Sequence, residues 1–157
     1  MMTAKTHKHD HTACTKSALE SAETLCRKKG VRLTAIRRRV LELVWNSHKA
    51  VKAYDILESL DASDGALAPA TVYRALDFLQ QQGLVHKVES LNAFVGCAHP
   101  ADSHDCQFFI CDDCGDVSEC CDNTLTQRIR KNATLAGFRP RRQMLEVRGT
   151  CSGCRQA

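Results

Sequence analysis

The sequence lacks any long hydrophobic run. Its 157 residues are 43% hydrophobic and 25% charged, yet no apolar stretch approaches the roughly 20 residues that a membrane-spanning helix requires. The N-terminal stretch MMTAKTHKHDHTACTK also lacks the apolar core of a secretory signal peptide. We therefore expect a cytoplasmic protein with no membrane partner.

Internal repeats are absent as well, and the second half of the chain carries no net charge. Residues 1–90 contain 14 basic and 10 acidic residues, whereas residues 91–157 contain eight of each. The whole net charge of +4 therefore lies in the first half. This asymmetry suits a nucleic-acid-facing half joined to a neutral one.

The first half has a helical period that changes to a strand period near residue 84. Apolar spacing predicts helices over 15–30, 33–47, 53–60 and 70–83, with Thr34 as an N-cap, Pro69 at a helix start and Gly83 at a helix end. Two strands over 84–90 and 93–97 then form a hairpin. We predict a disordered tail over 1–14 and a winged-helix DNA-binding domain over 15–97, with the fourth helix as the recognition helix.

A polar loop over 98–106 separates this domain from a second one over 107–157. There the patterns predict strands at QFFIC and DVSEC, a helix from Asp122 or Asn123 to Gly137, and a strand over FRPRRQMLEVRGTC. The predicted fold class is α+β. Because its apolar content is thin, this small domain needs a metal or a partner subunit for stability.

Ten cysteines are many for a chain in a reducing compartment, and four of them form two CxxC motifs. Cys111 and Cys114 make one pair and Cys151 and Cys154 the other, with 36 residues between the pairs. Two such knuckles supply the four thiolates of a closed tetrahedral zinc site, which is typical of structural zinc. Two redox-active pairs or simply buried cysteines are the alternatives.

Several stretches together resemble the ferric uptake regulator family, and most closely its zinc-sensing branch. They are VRLTAIRRRVLELV, PATVYRALDFLQQQGLVHKVES, CDDCGDV and CSGC, and the resemblance runs from about residue 16 to 154. It implies a homodimer, with a winged-helix domain and an α+β dimerisation domain, that binds palindromic operator DNA when loaded with metal.

The resemblance also implies a regulatory zinc site made by His86, Cys97, His104 and Glu119. Two imidazoles, a thiolate and a carboxylate suit tetrahedral zinc, and the thiolate favours zinc over iron or manganese. With the four-cysteine site, this gives two zinc ions per protomer. Zinc would act as the corepressor of zinc-uptake genes by fixing the hinge between the domains.

Further donors lie outside these two sets. A third site from His99, Asp102, Asp105 and Cys106 is conceivable, but solvation of a polar loop is the preferred interpretation. Cys26 is predicted in the core, His48 at a solvent-facing helix end, and one of Cys120 and Cys121 inside. The N-terminal tail offers His7, His9, His11 and Cys14 for incidental metal binding only.

DNA contacts are predicted at the start of the fourth helix, where Val72, Leu76 and Leu79 face the core. Thr71, Tyr73 and Arg74 would meet bases or phosphates. By resemblance, Tyr54 and Arg32 add contacts. Phosphates would be held by a basic cluster: Arg27, Lys28, Lys29, Arg32, Arg37, Arg38 and Arg39.

Two alternatives remain at this point. A regulator of the same family could sense iron, manganese, nickel or peroxide instead. An enzyme is disfavoured, because the H-x-E and PCxxC elements of a zinc deaminase are missing and a thiol oxidoreductase carries its CxxC at a helix start in a βαβ unit. We expect no enzymatic activity and no small-molecule substrate.

Overall fold

The structure is a computed structural model that describes residues 11–46, 49–100 and 105–156. Four helices come first, then a two-stranded hairpin, then a three-stranded sheet with two helices. The helices of the first half are α1 (His11–Lys28), α2 (Ala35–Trp45), α3 (Ala53–Asp64) and α4 (Pro69–Gln81). None of the described helices is long and apolar enough to cross a membrane.

Helix α1 begins earlier than predicted, so residues 11–14 are helical rather than part of a tail. The reason is a contact with the end of α2. Thr15 is only 8% exposed, and its hydroxyl donates a hydrogen bond of 3.4 Å to the carbonyl of Trp45. This contact holds the first turns of α1 against α2.

The predicted helix signals act as expected in α2 and α4. The Thr34 side chain accepts a hydrogen bond from the amide of Arg37, and Pro69 occupies the first position of α4, where its missing N–H leaves no hydrogen bond unmade. The apolar faces of the four helices meet in one core. Its largest fully buried helical side chains are Leu41, Ile56, Leu60, Leu76, Leu79, Val40, Val44 and Val72.

The wing consists of β1 (Val85–Val88) and β2 (Ala93–Gly96), which pair antiparallel through a 3-10 turn at Glu89–Leu91. Asn92 takes the left-handed conformation (φ 46°) that short polar residues tolerate at a tight turn. A methyl group at Gly96 would overlap the indole ring of Trp45. The end of the wing therefore lies directly on α2.

The second half contains β3 (Gln107–Cys111), β4 (Val117–Cys120) and β5 (Leu145–Gly149) in the order β4-β3-β5. Strand β4 pairs antiparallel with β3, and β5 pairs parallel with it. Helix α5 (Asn123–Leu135) connects β4 to β5. The side chain of Asp122 caps α5, because it accepts hydrogen bonds from the amides of Thr124 and Leu125.

The sequence prediction was wrong on the extent of the last strand. Only Leu145–Gly149 is a strand, and Ser152–Arg155 forms a one-turn helix, α6. Pro140 lacks an N–H for a strand ladder and lies among three arginines, which have no apolar face to bury. The segment before β5 is therefore irregular.

A second, smaller core joins the wing to the C-terminal sheet. Val88 and Val95 from the wing pack with Cys106, Phe108 and Ile110. The side chain of Glu146 on β5 also accepts hydrogen bonds from the wing turn, 2.6 Å from the amide of Glu89 and 3.1 Å from that of Ser90. These contacts hold the wing against the C-terminal sheet.

The other face of the C-terminal sheet is apolar and exposed. Phe109 on β3 and Val147 on β5 are register partners, and they are 49% and 43% exposed. None of the described residues of α5 is buried, and Leu135 and Phe138 near its end are largely exposed. This half of the chain thus leaves a wide apolar surface in contact with solvent.

Candidate metal centres

The four cysteines of the two CxxC motifs form one cluster. The sulfur atoms of Cys111, Cys114, Cys151 and Cys154 all lie within 4.8 Å of one another. Cys111 ends β3, whereas Cys151 precedes α6 and Cys154 lies within it. The structure thus brings together all four residues that the sequence predicted for this site.

The parallel pairing of β3 with β5 explains this convergence. Cys111 is the register partner of Gly149, so both motifs follow strands that end at the same edge of the sheet. The amide of Asp112 donates to the carbonyl of Gly149 at 2.8 Å. The guanidinium of Arg148 approaches the Asp112 carboxylate at 2.6 Å, which holds the first knuckle against β5.

One cysteine of this cluster ionises readily, which favours the binding of a cation. Hydrogen bonds from the backbone amides of Cys114 and Cys151 lower the pKa of Cys111 to about 6. Hydrogen bonds with the side chains of Cys151 and Cys114 raise the pKa of Cys154 to about 12. The Cys111 thiolate therefore forms near neutral pH, whereas Cys154 keeps a proton that a metal would displace. Four sulfur donors at this spacing fit zinc in a closed, structural coordination sphere.

A second cluster lies between the wing and the C-terminal sheet. One donor atom each from His86 on β1, Cys97 just after β2, and Glu119 on β4 all lie within 4.8 Å of one another. The Nε2 atom of His86 is 3.4 Å from Oε1 of Glu119. The Sγ atom of Cys97 is 3.8 Å from the same oxygen. The set therefore spans both halves of the chain.

Neighbouring groups fix the orientation of these donors. The other oxygen of Glu119 accepts a hydrogen bond from the amide of Ala98 at 3.0 Å, and the ring of His86 lies 5.6 Å from that of Phe108. Burial and the nearby Glu119 carboxylate raise the pKa of Cys97 to about 12. A metal bound here would have to displace the proton of Cys97.

The fourth predicted donor, His104, lies outside the described residues, as does Asp102. A buried sulfur that was considered only for the alternative third site lies beside this set. The Sγ atom of Cys106 is 3.3 Å from Nε2 of His86 and 2.9 Å from Oε1 of Glu119. Burial raises the pKa of Cys106 above that of an ordinary thiol, and the hydrogen bond to Glu119 adds to the effect.

Cys106 therefore does not belong to a solvated loop, and the alternative third site is not assembled from its described members. Asp105 instead contacts the guanidinium of Arg130 at 2.6 Å, and His99 is exposed. Cys106 precedes the buried Phe108 by two residues, so strand alternation was the available signal that its side chain faces inward. Its polar neighbours in the sequence concealed that signal.

The remaining cysteines differ in exposure. Cys26 is 2% exposed in the helical core, as predicted. Cys120 is half-buried and Cys121 is exposed, with its sulfur 4.0 Å from Oε1 of Glu119. The prediction that one of these two packs inward is met only in part, because neither is fully buried.

Three of the predicted DNA-contacting residues, Thr71, Tyr73 and Arg74, lie in the first turns of α4, whereas Tyr54 lies in α3, Arg37 in α2 and Arg32 in the loop before α2. Val72, Leu76 and Leu79 are buried as predicted, which turns the opposite side of α4 towards solvent. Tyr73 is 55% and Tyr54 64% exposed. Among the rest, Arg74 and Arg32 are exposed and Thr71 is half-buried.

Arg37 has a structural role that the sequence did not reveal. Its guanidinium lies 3.6 Å from the centre of the Phe78 ring, and it donates a hydrogen bond of 2.7 Å to the carbonyl of Arg32. The stacking and the hydrogen bond fix the loop before α2 against α4. Arg37 therefore links the loop before α2 to α4.

The sequence profile of the ferric uptake regulator family matches residues 28–148. The chain belongs to the ferric uptake regulator family. A zinc uptake regulation protein of Escherichia coli (strain K12) is 42% identical over 142 residues, covering 89% of this chain and 82% of that protein. This membership confirms the resemblance found in the sequence. It also confirms the prediction that the chain is a transcription regulator and not an enzyme.

Solved structures match the whole arrangement. A zinc uptake regulator complexed with zinc and DNA has a TM-score of 0.86 and 40% identity, covering 90% of this chain and 95% of that one. Holo XcZur is 44% identical, with a TM-score of 0.84 over 90% of this chain and 99% of that one. Apo XcZur, which is matched over 90% of this chain and 97% of its own, has a TM-score of only 0.53. This chain therefore resembles the holo form far more than the apo form.

Proposed function

We propose that this protein is a zinc-responsive, DNA-binding transcriptional regulator that mainly represses zinc-uptake genes, with zinc as corepressor. The observation that carries the proposal is the donor set of His86, Cys97 and Glu119, whose atoms lie within 4.8 Å of one another. Two of them belong to the wing region and the third to the C-terminal sheet. The wing follows α4 in the sequence. A metal bound here would therefore connect the C-terminal sheet to the helix that is proposed to read DNA.

The donor chemistry suits zinc. An imidazole, a thiolate and a carboxylate are all zinc ligands, and His104, implied by the family resemblance, would be a fourth. When bound, zinc supplies a divalent charge that joins the two halves of the chain and offsets the charges of Cys97 and Glu119. Sulfur also argues against the harder manganese and iron ions. The four-cysteine cluster would hold a second, structural zinc, which gives two per protomer.

The chain's own contacts transmit this state to α4. Cys97 donates its amide to the carbonyl of Leu84 at 3.0 Å, and Leu84 packs in the same buried core as Leu79 of α4. A change of position at Cys97 therefore acts on the base of the recognition helix. A near-complete switch between two forms needs a preference of roughly 10⁴, or about 5.5 kcal/mol, for one of them.

A homodimer accounts for the exposed apolar face of the C-terminal sheet. Phe109, Val147 and Phe138 are 43–67% exposed, and a second copy of the chain would bury them. A two-fold dimer presents two α4 helices at a fixed spacing, which matches a palindromic operator. Tyr73 and Arg74 would contact bases, and Thr71, Tyr54, Arg32 and Arg37 would contact or position the backbone. Such a protein acts on DNA in the cytoplasm.

The test is operator binding as a function of free metal, for the wild-type chain and for Cys97→Ser. We expect the wild-type chain to bind operator DNA only above a threshold of free zinc, and Cys97→Ser to lose that dependence. Cys26→Ser is the matched control, because Cys26 is equally buried but lies in the helical core. Iron, manganese, nickel and peroxide are tested alongside, and a stronger response to any of them would replace zinc in the proposal.

A further inference from the structure

The site between the wing and the C-terminal sheet contains a second buried sulfur. Cys106 is 6% exposed and lies one residue before β3. Its sulfur is 2.9 Å from the Glu119 carboxylate and 3.3 Å from the His86 imidazole. Cys106 is thus closer to Glu119 than Cys97 is, since the Cys97 sulfur lies 3.8 Å from the same oxygen.

Two of these separations fit neighbouring ligands of one ion. Cys106 is not part of the set of His86, Cys97 and Glu119 whose donor atoms all lie within 4.8 Å of one another, so binding through both sulfurs requires a shift of the cysteine side chains. Zinc–sulfur bonds of about 2.3 Å and zinc–nitrogen or zinc–oxygen bonds of about 2.0–2.1 Å at tetrahedral angles place adjacent donor atoms about 3.3–3.8 Å apart. The distance between Cys106 and His86 is 3.3 Å, and that between His86 and Glu119 is 3.4 Å. The 2.9 Å distance between Cys106 and Glu119 is a thiol–carboxylate hydrogen bond that metal binding would replace.

We infer that Cys106 is a ligand of the regulatory metal, so that the ion is bound through two thiolates, Cys97 and Cys106, together with His86. This inference rests on the proposed function. Glu119 supplies the fourth ligand. Binding releases the proton of each thiol to solvent and leaves both sulfurs as metal thiolates. A second thiolate makes the site softer, which raises its preference for zinc over manganese and iron.

Cobalt substitution counts the thiolates directly. The full-length dimer is treated with a mild chelator that leaves the four-cysteine site loaded, and one equivalent of Co²⁺ is added. Thiolate-to-cobalt charge-transfer absorption then reports only the emptied site. We expect Cys106→Ser and Cys97→Ser each to lose about half of this absorption. His104→Ala should retain it.

Cys120→Ser is the matched control, because Cys120 lies next to Glu119 in β4 and its side chain alternates to the other face of the strand. An unchanged charge-transfer band in Cys106→Ser would overturn the inference and leave Cys106 as a hydrogen-bond partner of Glu119. If Cys106→Ser does not fold, cadmium NMR of the wild-type protein counts the thiolates without any substitution. A one-thiolate resonance there would also overturn it.

The two proposals can fail separately. Zinc-dependent operator binding is measured on the same wild-type preparation. A two-thiolate cobalt spectrum combined with zinc-independent operator binding would refute the proposed function but keep Cys106 as a ligand. Zinc-dependent operator binding combined with a one-thiolate spectrum would do the reverse.

Discussion

Replacing Glu146 with alanine removes a carboxylate that ties the C-terminal sheet to the wing. Glu146 lies on β5, and its two oxygens accept hydrogen bonds from the amides of Glu89 and Ser90 at 2.6 Å and 3.1 Å. Both donors belong to the turn at the tip of the wing. The substitution therefore breaks a link between the halves that contains no metal donor.

The magnitude follows from the number and kind of these hydrogen bonds. Each hydrogen bond to a charged group contributes about 1.5–3 kcal/mol when buried, and solvent screening reduces this for a partly exposed carboxylate. We expect the free energy of unfolding to fall by about 1–3 kcal/mol in Glu146→Ala. Glu146→Gln keeps one oxygen acceptor but loses the charge, so its loss should be about half as large.

The sign of the pH dependence is also fixed. Partial burial opposes ionisation, but hydrogen bonds from the Ser90 hydroxyl and from the amides of Glu89 and Ser90 prevail and lower the pKa of Glu146. The carboxylate therefore stabilises the fold fully above the ordinary glutamate pKa of about 4.3. This stabilisation is lost as the pH falls through the lower, folded-state pKa.

Two measurements test the reasoning. Urea unfolding of the zinc-loaded protein gives the free energy, and amide hydrogen exchange reports Glu89 and Ser90 individually. We expect faster exchange at these two amides in Glu146→Ala, with the helical core unaffected. Unchanged exchange at both amides would show that Glu146 does not hold the wing, whatever the change in stability.

Three further substitutions follow from the packing and from α4. Gly96→Ala should cost about 1–3 kcal/mol in thermal or urea unfolding, because its methyl group would displace the ring of Trp45; an unchanged midpoint would refute the close approach. Asp122→Ala should lower the free energy of unfolding by about 0.5–2 kcal/mol, because α5 loses its cap. Asp122→Asn keeps an oxygen acceptor and should keep most of the wild-type stability; equal losses in the two unfolding curves would refute the capping role. Arg74→Ala should weaken specific operator binding by about 1–3 kcal/mol with the same binding to non-specific DNA; equal losses on both would make Arg74 a phosphate contact only.

The helical half was readable from local pattern. Val72, Leu76 and Leu79 recur at helical spacing and are buried, and Thr34 and Pro69 mark helix starts by their own backbone chemistry. The start of α1 was not readable, because Thr15 is held by the carbonyl of Trp45, 30 residues away. Local sequence contains no trace of such a contact.

The two metal centres differ in the same way. The spacing of the two CxxC pairs indicates a four-cysteine zinc site directly. The parallel pairing of β3 with β5 then brings the two pairs together. His86, Cys97 and Glu119 are far apart in sequence, and the family resemblance alone suggested them as a set. Cys106 was not predicted as a member of this set, because its polar neighbours indicated a loop. It immediately precedes β3, and its side chain is buried.

Zinc content per protomer, measured before and after mild chelation together with operator binding, tests the central claim most directly. The account predicts two zinc ions that fall to one, with operator binding lost on chelation and restored by added zinc. One zinc throughout, with operator binding unaffected by the chelator, would contradict it and leave only the four-cysteine structural site.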